Sequence, residues 1–451
     1  PGWGTRKSWL LAASYVFYAA WNPPFALLLL GSTLVDWWVG LRLGREARPR
    51  RRRAWLLLSL AVNLGALAFF KYGNFLLENT TALLAQFGVA YQPPKLDILL
   101  PVGISFYTFQ TLSYSIDVYR GQLQPVRSLS DFALFVSFFP QLVAGPIVRA
   151  RDFLFQLEAP PQAVRGRTGW GLCLMTFGLF QKVVLADVLL APTAELVFGH
   201  GFPLAPLDAW AGTLAFSLQI LFDFAGYSTC AIGAALCFGF SFGDNFRSPY
   251  GAIGFSDFWR RWHISLSTWL RDYLYIPLGG NRRGARRTAI HLMLVMLLGG
   301  LWHGAAWTFV VWGGLHGLYL TIERVLVRAT AGARWAQGRP AAALAWAATL
   351  FGVAIAWVFF RATDVAHAGR VLASMFGAFA VDGDRIVTGR ALLTVALLLA
   401  SVLTAHRLLA RTSLEALVVR APRLVTPVWA AMACALLLAQ GKGSAFLYFQ
   451  F

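Results

Sequence analysis

The chain has 451 residues, of which 58% are hydrophobic and only 13% are charged, and its formal net charge is +19. Apolar runs long enough to cross roughly 30 Å of hydrocarbon recur from one end to the other. No stretch is both long and polar enough for a separate soluble domain, which excludes an ordinary soluble enzyme and predicts an all-α, polytopic membrane protein.

The hydrophobic pattern predicts one helical bundle of roughly eleven or twelve membrane segments, forming a single domain over residues 1–451. Because the chain starts at Pro1 without an initiator Met, we expect an N-terminal helix to be missing. Two further stretches, 131–157 and 252–280, mix aromatic with charged residues and predict interfacial or re-entrant helices. The predicted segments are 8–21, 24–41, 54–72, 98–119, 168–191, 208–225, 227–241, 288–301, 303–325, 342–360, 390–408 and 426–440.

The positive charge lies in short loops beside apolar runs, as between Arg42 and Arg53 and between His406 and Arg423. A nucleic-acid partner is one interpretation of +19, but the positive-inside rule explains these positions by placing both loops in the cytoplasm. We therefore expect contact with the lipid bilayer and no nucleic acid. Since one segment, 426–440, follows the second loop, the C-terminus is predicted to face away from the cytoplasm.

The four cysteines, Cys173, Cys230, Cys237 and Cys434, stand singly in apolar segments without Cys-x-x-Cys spacing. That arrangement argues against a disulfide framework and against a zinc site. We expect buried thiols, no bound metal and no bound cofactor.

His303 is the first candidate for chemistry, because it stands in an apolar run whose neighbours offer its imidazole almost no hydrogen bond. A histidine among such residues is a functional candidate, although it could instead bond a carbonyl of a neighbouring helix and hold the bundle together. His316 follows 13 residues later, about 20 Å along a continuous helix. Both cannot serve one site unless the helix breaks, and we interpret His316 as a packing residue.

His263 lies in an amphipathic, aromatic and charged stretch over residues 255–273. Such a helix could be a strut on the membrane surface with Trp and Arg as anchors. On the residues alone, His263 is equally consistent with that role and with catalysis.

The C-terminal tail, residues 442–451, contains one phenol, Tyr448, among apolar residues, and Lys442-Gly443-Ser444 supplies a flexible hinge ahead of it. Nothing in so short a tail requires a phenol for packing, so a chemical role is favoured. The alternative is an aromatic anchor at the outer interface.

Several motifs resemble the membrane-bound O-acyltransferase (MBOAT) family, in particular the bacterial branch that includes alginate O-acetyltransferases and teichoic-acid D-alanyl transferases. The resemblance covers nearly the whole chain. Its most specific parts are the runs 101–110 (PVGISFYTFQ), 139–147 (FPQLVAGPI), 261–267 (RWHISLS), 279–282 (GGNR) and 302–304 (WHG).

The resemblance implies that His303 is the catalytic histidine and that His263 is a second histidine near the same tunnel. It also implies that the Phe-x-Tyr-Phe-x-Phe element ending at Phe451 is an acyl-carrier tail with Tyr448 as the carrier. The expected location is the bacterial inner membrane, with the C-terminus in the periplasm. The expected partners are periplasmic acetyltransferase or esterase-like proteins and an exported polysaccharide.

These residues together predict a membrane O-acetyltransferase with acetyl-CoA as the cytosolic thioester donor, His303 as base and Tyr448 as acceptor. His263 would orient the donor or stabilise the carbonyl oxygen. Alternatives remain within the same fold, namely transfer of D-alanyl groups, or of acyl groups to peptidoglycan or cellulose instead of alginate. A different class is a transporter or flippase in which His303 relays protons.

Overall fold

The computed structural model describes residues 2–143, 145–162, 164–333, 338–379, 385–409, 412, 414–441 and 447. Throughout this part the regular structure is helical and contains no strand, which confirms the all-α prediction. The chain divides into two compact units, Pro1–Gly171 with Ala231–Gly243, and Leu172–Cys230 with Asp244–Phe451. The predicted single domain stays a prediction.

The first unit consists of long N-terminal helices followed by short ones. A 3-10 turn at Leu154–Leu157 closes the series. The helices are α1 Trp3–Ala19, α2 Pro23–Arg45, α3 Pro49–Gln86, α4 Ile104–Tyr119, α5 Leu129–Ser137, α6 Phe139–Leu142 and α7 Ala150–Phe153.

A buried carboxylate ties α2, α3 and α4 together. Asp36 is fully buried and accepts hydrogen bonds from Asn63 Nδ2 at 2.7 Å, from Ser115 Oγ at 2.9 Å and from Ser59 Oγ. A buried charge is tolerated only when its oxygens are well bonded, so these donors fix the register of the three helices.

The second unit contains the remaining helices. Two π-helical segments, Phe180–Leu190 and Arg271–Tyr275, interrupt the α-helical pattern. The helices are α8 Arg167–Leu179, α9 Ala191–Gly199, α10 Pro206–Cys237, α11 Phe255–Arg261, α12 Ile264–Leu270, α13 Ala285–His303, α14 Trp307–Ala329, α15 Arg339–Arg361, α16 Val365–Met375, α17 Gly389–Leu408, α18 Leu414–Arg420 and α19 Pro422–Leu438. Helix α8 begins, and helix α10 ends, with residues of the first unit.

Six stretches of the described chain are long and apolar enough to cross a membrane, and a seventh arises if α18 and α19, which meet at 118°, form one broken span. This supports the multi-spanning prediction without reaching eleven or twelve segments. The six are Pro23–Arg45, Pro49–Gln86, Arg167–Gly199, Pro206–Cys237, Arg339–Arg361 and Gly389–Leu408.

The boundary predicted near residue 226 is wrong, because 208–225 and most of 227–241 form the single helix α10. Gly226 does not break this helix. It lets α10 approach α8, where a Cβ on Gly226 would lie 2.6 Å from the carbonyl oxygen of Gly178. Glycine therefore serves helix packing at this position, as small residues do in membrane bundles.

A second close approach joins α13 to α14 immediately after the turn between them. A Cβ on Gly300 would lie 2.2 Å from the carbonyl oxygen of Phe309, and a Cβ on Gly313 would lie 2.3 Å from that of Met296. Even one methyl group at either position would push the two helices apart.

We expect Gly313→Ala to lower the free energy of unfolding by about 1–3 kcal/mol, because the added methyl overpacks the α13–α14 contact. Gly314→Ala is the matched control, since its Cβ would meet only Leu297 Cδ2 at 3.6 Å, an ordinary contact. Thermal unfolding of the purified protein in detergent measures the difference. Equal stability of the two variants would contradict this account of the packing.

Candidate active site

His303 is the last residue of α13, and the chain leaves the helix immediately after it. The turn depends on Gly304, where a Cβ would lie 2.1 Å from the ring of Phe309. His303 is 3% exposed. The helix break thus places an imidazole inside the protein at a point where the backbone changes direction.

Aromatic rings surround the His303 side chain. The ring centroids of Trp302 and Trp312 each lie 5.0 Å from that of the imidazole, and that of Phe360 lies 5.4 Å away. These rings come from α13, α14 and α15, so three helices build the apolar wall around the imidazole. An apolar wall of this kind keeps bulk water away from a reacting group.

His263 also lies at a helix break, between α11 and α12. Its backbone is left-handed, with φ of +43°, and its side chain is fully buried. A residue other than glycine pays about 1–2 kcal/mol for this conformation. Backbone bonds from Arg247 N to Arg261 O and from Ile264 N to Asn245 O, both 2.9 Å, hold the chain on either side.

Asn245 fixes the protonation pattern of His263. Its Oδ1 accepts the backbone N–H of Ser265 at 3.1 Å, and its Nδ2 donates to Ser228 Oγ at 2.9 Å. The same Oδ1 lies 3.2 Å from His263 Nδ1, so Nδ1 must carry a proton to bond there. The neutral imidazole then has its lone pair on Nε2, which has no hydrogen-bond partner within the described residues.

Burial lowers the pKa of His263, which lies outside the six apolar spans, to about 3. The imidazole is therefore neutral at physiological pH. Its ring centroid lies 6.3 Å from that of His303 and 4.6 Å from that of Phe224. Two buried imidazoles at this separation can act on one substrate group, one taking a proton and the other orienting or polarising the substrate.

His316 packs on Trp312, as His303 does. The chain does break between His303 and His316, because α13 ends at His303 and α14 starts at Trp307. His316 is fully buried, and its ring lies 4.8 Å from Trp312 and 5.1 Å from Trp259. Neither of its nitrogens has a hydrogen-bond partner within the described residues, and its interpretation as a packing residue stays a prediction.

Comparison with known sequences matches residues 125–362 to MBOAT, the membrane-bound O-acyltransferase family. This match includes both histidines of the pair and covers more than half of the chain. The chain belongs to the membrane-bound O-acyltransferase family. It is a multi-spanning inner-membrane protein and an O-acyltransferase, as its sequence motifs predict.

Three relatives show how far the similarity of this acyltransferase extends. A protein of Pseudomonas putida named "Probable alginate O-acetylase AlgI" is 45% identical over 373 residues, covering 82% of this chain and 75% of that protein. A "Peptidoglycan O-acetyltransferase" of Helicobacter pylori is 40% identical over 82% of this chain and 74% of its own length. A "Teichoic acid D-alanyltransferase" of Streptococcus thermophilus is 29% identical over 50% of this chain and 57% of its own length.

The structure brings together two of the three residues predicted for the site of this acyltransferase. His303 and His263 face a common aromatic cluster, while Tyr448 lies outside the described residues. The catalytic roles of all three stay predictions.

The sequence analysis missed Asn245, which determines the tautomer of His263. Asn245 lies in a loop 18 residues before this histidine and belongs to no motif singled out from the sequence. Its effect depends on a loop folding back onto the α11–α12 break. The signal that could have found it is an amide residue close to a histidine motif, which is too common to be specific.

We expect Asn245→Ala to lower the rate of acyl transfer. It should also lower the free energy of unfolding, by about 1–3 kcal/mol for each buried donor left without an acceptor. Ser228→Ala is the control, because it removes the acceptor of Asn245 Nδ2 and leaves the bond between Asn245 and His263 in place. Transfer assays and thermal unfolding measure the two effects. Wild-type transfer by Asn245→Ala would show that this contact does not orient His263.

Proposed function

We propose that this acyltransferase moves an acetyl group from a cytosolic thioester, acetyl-CoA, across the inner membrane for O-acetylation of an exported polysaccharide, alginate or a similar polymer. The observation that supports the proposal best is the pair of buried imidazoles 6.3 Å apart inside an aromatic wall. A neutral buried imidazole is the form that a general base requires. The names of the Pseudomonas and Helicobacter relatives favour acetyl as the transferred group.

In the proposed reaction, the phenol oxygen of Tyr448 attacks the thioester carbonyl while His303 accepts the phenolic proton. A carbon–oxygen bond forms, the carbon–sulfur bond breaks, and the proton passes from His303 to the departing thiolate. The products are acetyl-Tyr448 and free CoA. His263 orients the donor or stabilises the charge that develops on the carbonyl oxygen.

The choice of a phenol as carrier follows from leaving-group chemistry. A phenol has a pKa of about 10, close to the thiol value of about 8.5 and far from that of an alkyl alcohol. An aryl ester therefore preserves much of the activation of the thioester. The far side of the membrane offers neither CoA nor ATP to reactivate a stable alkyl ester such as Ser444 would form.

The tail is also long enough for this task. The seven residues from Lys442 to Tyr448 span roughly 23 Å when extended, and half the hydrocarbon thickness is about 15 Å. With the C-terminus in the periplasm, Tyr448 would enter the bilayer to be acetylated and return to the outer face. Periplasmic acetyltransferase or esterase-like proteins would then pass the acetyl group to the polymer.

A second acceptor is peptidoglycan, which the name of the Helicobacter relative favours at 40% identity. Transfer of D-alanyl groups has weaker support, from a relative that matches half of the chain. Mass spectrometry of the C-terminal peptide after incubation with labelled acetyl-CoA tests donor and carrier together. A transporter or flippase would leave that peptide unlabelled, and polymer acetylation without any labelled peptide would overturn the carrier scheme.

We expect His303→Phe to reduce acetylation of polymer at least about 100-fold, the usual contribution of a general base. His316→Phe is a matched control, because it makes the same change at a second buried histidine that packs on Trp312, and it removes no hydrogen bond to a described residue. Both variants should insert into the membrane normally. Transfer at the wild-type rate by His303→Phe would refute its assignment as the base.

We expect Tyr448→Phe to keep any anchoring function and to lose transfer, because phenylalanine has no oxygen to carry the acetyl group. Tyr91→Phe, which removes a partly exposed phenol in the other unit, controls for the loss of a tyrosine as such. The measurement is label on the C-terminal peptide together with acetylated polymer. An active Tyr448→Phe enzyme would leave only the anchor interpretation for this residue.

A further inference from the structure

A second cluster of buried charged groups lies in the same unit as the histidine pair and has no role in the scheme above. Lys182 Nζ lies 2.9 Å from Asp187 Oδ1 and 2.5 Å from Asp223 Oδ1. The carboxylates of Asp187 and Asp223 are 2% and 1% exposed. Charged side chains buried this deeply are costly and are functional candidates within membrane proteins.

The π-helical segment Phe180–Leu190 creates this cluster. In an α-helix, residues five apart point roughly 140° away from each other. The i to i+5 hydrogen bonding of a π-helix instead brings Lys182 and Asp187 onto one face. Interruptions of this kind occur frequently at functional sites.

Close packing of α8 on α10 supplies the third member of the cluster. A Cβ on Gly178 would lie 2.4 Å from the carbonyl oxygen of Gly226. Gly178 lies four residues before Lys182, and Gly226 lies three residues after Asp223, so each glycine shares a helix face with its charged partner. The contact between backbones thus brings the Lys182 ammonium to the Asp223 carboxylate.

The other oxygen of Asp223 contacts the C-terminal tail. Its Oδ2 accepts the backbone N–H of Leu447 at 3.2 Å. The side chain of Leu447 is 5% exposed and belongs to the same buried hydrophobic cluster as Trp262 and Trp312, which lie beside the histidines. The residue after Asp223 is Phe224, whose ring contacts His263 at 4.6 Å.

We propose that Asp223, held in place by Lys182 and Asp187, is a positioning residue that docks the tail through the N–H of Leu447. Docking fixes the register in which the next residue, Tyr448, is presented for acylation. This inference rests on the proposed function, because it assigns a binding site to the carrier tail.

The path of the chain supports this assignment. The last helix, α19, packs against the π-helical segment that carries Lys182 and Asp187. Seven residues separate Ala439, just after α19, from Leu447, and the eight Cα-to-Cα steps between the two can span roughly 27 Å when extended. The tail therefore has ample length to return to the charged cluster beside its own last helix.

The chemistry of the contact also suits a carrier that must dock and leave. Asp223 binds a backbone group, so the aromatic side chains of the tail take no part in this bond. A hydrogen bond to a charged group changes an equilibrium by about 10- to 150-fold. That strength favours the docked tail without trapping it there.

The test compares Asp223→Ala with the wild type in the full-length protein. This variant leaves Lys182 and Asp187 as a balanced pair and so avoids an uncompensated buried charge. We expect the rate of label appearance on Tyr448 to fall about 10- to 150-fold. We also expect hydrogen exchange of the C-terminal peptide to accelerate by a similar factor, a readout that requires no catalysis.

Two further variants separate docking from a merely structural role. Asp208→Ala is the matched control, because Asp208 is a buried carboxylate of the same helix that accepts the backbone N–H groups of Ile386 and Val387. It should lower the midpoint of thermal unfolding and leave tail exchange within twofold of wild type. Asp223→Asn keeps an acceptor oxygen and should recover a large part of the tail protection.

Variants of Leu447 test the same hydrogen bond from the side of the tail. Leu447→Pro removes the N–H, whereas Leu447→Ala keeps it. We expect the proline variant to lose label as Asp223→Ala does, and the double variant to lose no more than either alone, because both remove one interaction. Multiplicative losses in the double variant would overturn the assignment.

The outcomes also distinguish this inference from the proposed function. If the wild type never acquires label on Tyr448, the carrier scheme fails whatever the exchange data show. If the wild type is labelled and Asp223→Ala matches it in both label and tail exchange, the docking assignment fails while the carrier scheme stands.

Discussion

Interrupting a helix inside an apolar protein leaves backbone N–H and C=O groups that must find partners, and the candidate site of this acyltransferase depends on meeting that requirement. Both histidines lie where a helix stops, and each break is stabilised from outside its own helix. Asn245 accepts the backbone N–H of Ser265 and bonds the His263 ring. At His303, the N–H of Gly304 bonds the carbonyl oxygen of Gly300 at 3.4 Å, and the ring of Phe309 packs against the turn. The same breaks turn both imidazoles toward a common aromatic cluster. The fold therefore stabilises the interrupted backbone at the two positions where the candidate site needs a histidine.

The sequence predicted the features that depend on local composition and on motifs. Helical class, membrane character and the family followed from apolar runs and from short motifs such as Trp302-His303-Gly304. His303 and His263 were singled out for the same reason, since a histidine is conspicuous among apolar or aromatic residues. These signals are carried by neighbouring residues and need no knowledge of the packing.

Features that depend on contacts between distant residues were missed. Gly226 was interpreted as the end of a segment, whereas it lies within α10 against Gly178. Asp223 was not singled out, because only the fold places Lys182 of the π-helical segment beside it. Whether a glycine ends a helix or allows close helix packing, and whether an acidic side chain has a partner, depends on which helix lies beside it. The periodicity of one segment does not identify that neighbouring helix.

The two polar clusters of the second unit, one around the histidines and one around Asp223, differ in how their polar groups are partnered. Around the histidines, polar contacts fix orientation while one imidazole nitrogen, Nε2 of His263, keeps a lone pair in an apolar wall. Around Asp223, one ammonium pairs with two carboxylates, and the remaining oxygen of Asp223 binds the backbone of the tail. The proposed acyl carrier, which alternates between loading and delivery, would need both environments. The reacting group would require surroundings without competing water, whereas the proposed docking contact would have to be polar enough to form and weak enough to release. Because the two clusters are separate, the apolar surroundings of the histidines and the strength of the contact at Asp223 can each be set without changing the other.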